Sequence, residues 1–144
     1  MLVEKIKEIV TNLTNWNFNY GKDHWQNRED YPNDGDLVFA LRKKYLMLIY
    51  KDRTFGINSY GAIENYVFDG ELVLMVRSKI SDEDYNYKYE THIKNLELET
   101  EKLYNSFDDC EGWTIKSWKE TEVENSYDAN MDGIKIRFSM QKDL

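Results

Sequence analysis

Residues 62–80 read AIENYVFDGELVLMVRSKI. Two runs rich in β-branched, aromatic and aliphatic side chains, 62–68 and 71–80, flank Asp69-Gly70, a dipeptide suited to the positive φ of a two-residue hairpin turn. The stretch predicts an antiparallel hairpin, and with it a fold organised by a sheet. Upstream, Tyr45 to Tyr50 is apolar throughout, as a central strand covered on both faces would be. Before it, Leu37, Phe39 and Leu41 alternate with Val38 and Ala40 and predict a further strand. Downstream, Trp113 and Ile115 alternate with Thr114 and Lys116 in a strand expected to run on to Val123. Ile134, Ile136, Phe138 and Met140 alternate with Lys135, Arg137, Ser139 and Gln141, the pattern of a half-buried strand. Residues 128–133 are expected to turn the chain between these last two strands.

Helices bracket the first group of strands. Leu2, Ile6, Ile9, Val10 and Leu13 share one side of a 3.6-residue period, with Glu4, Lys5, Lys7 and Glu8 opposite, which predicts an amphipathic helix over 2–13. Ser81-Asp82-Glu83-Asp84 reads as a capped helix start. Tyr89, Ile93, Leu96, Thr100, Leu103 and Phe107 then form one stripe, with Glu97, Glu99 and Glu101 assigned to the wet side. Two segments read as loops, 14–36 and 52–61; both hold aromatics beside Asn, Gly or Pro. The expected architecture is α+β in one domain, 1–144: a mostly antiparallel sheet with a short N-terminal helix and one long helix packed on one face.

Composition limits what such a domain can do. The 144 residues carry 27 acids and 19 bases, a net charge of −8, and 15% are aromatic. A chain this long buries about 68–70% of its unfolded surface, and its aromatic content argues against disorder. The single cysteine, Cys110, forms no internal disulfide and suits a reducing compartment. The apolar runs are far shorter than the ~20 residues of a spanning helix, so no membrane contact is expected, and the N-terminus lacks the apolar core of a signal peptide. A soluble protein made in a cytoplasm is the expectation. Ten acids against three bases fall in 81–111. The only local basic cluster, Arg42-Lys43-Lys44, reads as a solvated strand end and not as a phosphate-gripping face.

The residues that carry chemistry are sparse. His24 and His92 lie in different elements and read as surface or core-edge side chains. Cys110 sits among Asp108, Asp109 and Glu111, neighbours that work against a nucleophilic thiolate. Asp82, Glu83 and Asp84 are contiguous, whereas a sugar-cleaving acid pair must converge from separate elements. Asp128, Asn130 and Asp132 with Gly133 match the first six positions of a calcium loop. Its twelfth position, which requires glutamate, is Ser139, so the cage is incomplete. With no nucleotide-binding or hydrolase motif either, the chain is expected to be a non-enzyme without cofactor or metal. What stands out is surface chemistry. Trp25, Tyr31, Arg53, Phe55 and Tyr60 lie on the two glycine-bearing loops, and Tyr, Trp and Arg are enriched where protein surfaces meet. These five are the candidate interface residues.

Taken together, the N-terminal helix, the aromatic segment Phe18-Asn19-Tyr20-Gly21, the turn exit Gly70-Glu71-Leu72, the long helix and the closing run from Asp132-Gly133 to Met140 resemble tailed-phage tail terminator and neck (head–tail connector) proteins. The resemblance is one of order and pattern over nearly the whole chain. It implies a structural virion subunit, without enzymatic activity, that forms an oligomeric ring of six copies or a multiple of six. Such a ring sits among other neck, portal or tail proteins and lets DNA pass its lumen without specific binding. The implied location is the virion, with assembly in the host cytoplasm. An acidic adaptor or inhibitor of a basic partner, and a small ligand-binding module, are the alternatives.

Overall fold

The computed structural model describes residues 1–12, 16–22, 31–34, 37–78, 85–126 and 131–144. Helix α1, Leu2–Thr11, buries Leu2, Ile6, Ile9 and Val10. Strand β1, Trp16–Tyr20, lies inside the segment expected to be a loop and pairs in parallel with β2, Lys44–Ile57. Between them Phe39–Leu41, expected as part of a strand, forms a single 3₁₀ turn that leaves Val38 and Leu41 exposed. Strand β3, Ile63–Arg77, is antiparallel to β2. A continuous helix, α2, spans 85–108, with a π-helical turn at Tyr89–Ile93. Strands β4, Trp113–Ser126, and β5, Met131–Asp143, complete a five-stranded sheet of order β1-β2-β3-β5-β4, antiparallel except for the first pair. The α+β architecture is the expected one; the helix start at 81–84 lies outside the described residues.

Both helices pack on one face of the sheet. Leu96, Leu103 and Phe107 of α2 and the buried side of α1 meet Leu46, Leu48, Leu72, Leu74, Val76, Ile134, Ile136 and Phe138. Thr100 is buried on the same stripe. A smaller cluster on the opposite face holds Tyr45, Met47, Val73, Met75 and Met131 under Tyr31. This explains why residues 45–48 are apolar at every position: each face of the central strand has its own core.

The hairpin that joins β2 to β3 is not at Asp69-Gly70. Those residues lie within β3, where Asp69 pairs with Asp52 and Ser139, and Gly70 with Lys51 and Phe138. The glycine answers a need for space: a Cβ at Gly70 would collide with the Tyr50 carbonyl and lie 2.9 Å from Cζ of Phe138. Asp132-Gly133 likewise belongs to β5 and not to a turn, and a Cβ at Gly133 would collide with the Leu74 carbonyl. The actual turn is Asn58–Ala62, so the expected loop over 52–61 is mostly strand. Oδ1 of Asn58 accepts from the backbone N–H groups of Tyr60 and Ala62 at 2.9 and 3.0 Å, and Gly61 takes φ +81°, as Asx-capped turns with a left-handed residue require.

Two polar contacts fix the N-terminal end of α2. Nζ of Lys88 lies 3.1 Å from Oδ2 of Asp132, and both side chains are buried. His92, expected at a surface or core edge, is fully buried, and Nδ1 lies 2.7 Å from a guanidinium nitrogen of Arg42. A guanidinium has no lone pair to offer, so Arg42 donates and Nδ1 accepts. Arg42 also donates to the carbonyls of Leu37 and Arg77. Together with Lys44, also buried, this overturns the reading of 42–44 as a solvated end: only Lys43 is exposed.

Two outcomes check this description. Gly70→Asn, which a hairpin turn would tolerate, is expected to destabilise the protein by about 1–3 kcal/mol through overpacking, read as a fall in the urea midpoint. Asp132→Ala, which strands the Lys88 ammonium, is expected to cost about 3–5 kcal/mol, while Lys88→Met combined with Asp132→Leu restores most of that loss.

Candidate functional site

Beyond the part of the sheet that the helices cover, the β2–β3 hairpin continues as a row of rings and cations. The Arg53 guanidinium lies 5.0 Å from the ring centroids of both Phe55 and Tyr66, which are 5.4 Å from each other. Tyr66 leads to Phe68, and Phe68 stacks on Trp113 at 5.9 Å. Lys51 sits over Phe68 and Lys142 over Trp113. Each such cation–ring pair contributes about 0.5–1 kcal/mol when exposed. The row therefore holds the long side chains in place while its outer end stays exposed. Phe55 is 44% exposed, Ile57 62% and Tyr60, at the tip of the turn, 94%.

The backbone of this segment is also open. Strand β1 pairs with β2 only from Lys44 to Leu48. From Tyr50 to Ile57, among the described residues, no strand lies beside β2 opposite β3. Exposed edges of this kind recruit further strands unless they are blunted. The other edge of the sheet, β4, is charged. A bulge between Ile115 and Ser117 reverses its side-chain parity, so that Trp118, Glu120 and Glu122, paired with Phe138, Ile136 and Ile134, take the helix side. Val123, the expected end of the strand, packs on the face opposite Ile115.

That bulge assembles an acidic group. Glu97 of α2 is held above the usual glutamate range, first by burial and then by the charges of Glu122, Glu120 and Glu101. Glu97 is half-buried, on the side of α2 that approaches Glu120 and Glu122 of β4. Glu99 accepts from Nε1 of Trp16 at 3.2 Å and lies 3.6 Å from Lys102; of the three only Glu101 is exposed.

Of the five interface residues read from the sequence, the fold brings Arg53, Phe55 and Tyr60 together on one hairpin. Tyr31 is corrected: it is 5% exposed, its ring is edge-on to Tyr45 at 4.8 Å, and its carbonyl accepts from Arg77. It closes its own chain's second core. Trp25 lies outside the described residues, as do His24, Asp128 and Asn130. Asp132, the third residue of the calcium-like string, is committed to Lys88. Cys110 is half-buried and its Sγ donates to the Ser106 carbonyl. Among the described residues no three His, Cys, Asp or Glu side chains are grouped to hold a metal ion, and no helix is long and apolar enough to cross a membrane. Tyr66, Lys51 and Lys142 were missed as parts of the row. Their period-two spacing from Phe68 and Arg53 and from Met140 was the available signal.

No family model matches the chain, and no curated protein matches it.

The Glu97 cluster has a pH signature. A carboxyl that holds its proton to higher pH in the folded state favours folding below the ordinary glutamate range, and that advantage is lost as the pH rises through the folded value. Between pH 5 and pH 7 the urea midpoint of the wild type should therefore fall relative to that of Glu97→Gln, with the variant the more stable of the two at pH 7.

Proposed function

We propose that the protein is a non-enzymatic structural subunit that assembles with copies of itself, sheet edge to sheet edge. The closed ring of the tailed-phage tail terminator and neck proteins, which its sequence layout resembles, is the assembly this reading favours. The observation that carries it is the open edge of β2 from Tyr50 to Ile57, with Tyr50, Phe55, Ile57 and Tyr60 exposed along it. Main-chain hydrogen bonds from an added strand would satisfy that edge, and the rings flanking it would supply buried area.

The opposite edge is suited to receive it. In the order β2-β3-β5-β4 each strand is antiparallel to the next, so the β2 of a second copy can follow β4 and continue the alternation. On the helix side, the β2 edge carries Lys51 and Arg53 and the β4 edge carries Glu120 and Glu122, which are of opposite sign. Two different edges meeting head to tail form a heterologous contact, the kind that closes into rings. A ring of subunits each carrying −8 would repel the phosphates of a duplex in its lumen, favouring passage over binding. In this reading the remaining partners are neighbouring neck, portal or tail proteins.

Replacing Arg53 and Tyr60 together by alanine should weaken self-association about tenfold or more, the scale expected when an anchoring pair is removed, with the circular dichroism of the subunit unchanged. Sedimentation velocity and negative-stain micrographs read the outcome. Assembly of the double variant at wild-type concentrations would remove the hairpin from the interface.

A further inference from the structure

A second feature is independent of the hairpin. An open cleft of about 620 Å³ lies where α2 passes α1, β1 and the 3₁₀ turn, within the range of small-ligand sites. Trp16, Phe39 and Leu98 supply apolar walls, Asn95 and Asn105 supply amides, and Lys44 also lines it. Lys44 is the unusual member. It is the first residue of β2, paired to Trp16 on one side and Val76 on the other, and its side chain is only 5% exposed. Its ammonium lies 5.0 Å from the centroid of Phe39. Among the described residues that ammonium has no hydrogen bond and no carboxylate partner. The other buried cations are provided for: Lys88 by Asp132, Arg42 by His92 and two carbonyls.

A charge drawn out of water without a counter-ion is costly, and one ring face offsets only part of that cost. The nearby carboxylate of Glu99 is taken up by Trp16 and Lys102. We propose that this cleft binds a small monocarboxylic acid with an aromatic or branched apolar body. The carboxylate of the ligand meets the Lys44 ammonium, and its body lies against Trp16, Phe39 and Leu98. The anion is singly charged because the cleft offers one buried ammonium and no arginine, its second cation, Lys102, is exposed and paired with Glu99, and Glu99 and Glu101 at its wall oppose a phosphate dianion. Asn105, which lines the cleft and whose amide makes no hydrogen bond among the described residues, is placed to bond a polar substituent on the body.

The test uses the full chain and 3-phenylpropanoate, with 3-phenylpropanamide as the neutral analogue, followed by amide and indole N–H shifts in ¹H–¹⁵N spectra. Saturable shifts at Lys44, Asn105 and the Trp16 indole are expected, with the amide weaker by about tenfold or more, the share of a charge-assisted hydrogen bond. Lys44→Met should bring the two ligands to about equal affinity. Should Lys44→Met not fold, Leu98→Asp at the exposed mouth reads the same charge dependence, weakening the acid and sparing the amide. Equal binding of acid and amide to the wild type, shifts elsewhere only, or an unchanged preference in the foldable variant overturns the site. Tighter binding of an acetylated tetrapeptide with a free C-terminus also overturns it, in favour of a chain terminus as occupant.

Discussion

The buried ion pair between Lys88 and Asp132 is the constraint around which the described structure is arranged. Two opposite charges withdrawn from water tolerate only a placement in which they meet, so the pair fixes where α2 begins relative to β5. Arg42 and His92 add a buried hydrogen bond one turn further along, tying the same helix to the chain entering β2. With its N-terminal turns held at two points, α2 lays Ile93, Leu96, Thr100, Leu103 and Phe107 along the sheet, and α1 fills the space beside them. The side chains most suggestive of chemistry in the sequence, a histidine and an aspartate of a calcium-like string, are thereby consumed in holding the fold together.

What the helices leave uncovered gives the molecule its surfaces. Strands of 14 and 15 residues extend about 45–50 Å at ~3.3 Å per residue, and beyond Phe68 the helix side of the β2–β3 hairpin carries the rings of Phe55 and Tyr66 with the Arg53 guanidinium between them. Bulges set which side chains appear there. The one in β2 between Leu48 and Tyr50 puts Lys51, Arg53 and Phe55 on the helix side, and the one in β4 does the same for Glu120 and Glu122. Two edges of opposite sign on a common face follow from two single-residue irregularities.

The elements that repeat a period cleanly were legible in the sequence: α1, the stripe of α2, β5 and the 45–50 segment, which is covered on both faces over 45–48 while Tyr50 is exposed. The misplaced ones share a physical cause. Asp-Gly satisfies a turn and also a strand crowded by Tyr50 and Phe138, and only the neighbours across the sheet decide between them. Trp16-Asn17-Phe18-Asn19-Tyr20 has a strand period, but asparagine, unfavourable in strands, masks it, and the parallel partner lies more than twenty residues away. Leu37, Phe39 and Leu41 alternate, yet the chain needs a tight turn there to deliver Arg42 to His92. Within the candidate surface, Arg53, Phe55 and Tyr60 were readable as a group in one segment, although the expected loop is strand at Arg53 and Phe55 and a turn only at Tyr60. Tyr31 was not, since its burial depends on Tyr45 and Met47, and Lys44 looked solvated because nothing local reveals the ring of Phe39 beneath it.

Completion of the β2 edge by another copy of the chain, as proposed above, is tested most directly by hydrogen–deuterium exchange of the backbone amides of 50–57, compared between dilute and concentrated protein. Slowed exchange in that segment and in the outer edge of β4 as assemblies form, with β5 unchanged, is the predicted result. Assembly that leaves 50–57 exchanging as fast as in the dilute subunit, or a chain that stays monomeric with that edge unprotected at every concentration, would contradict it.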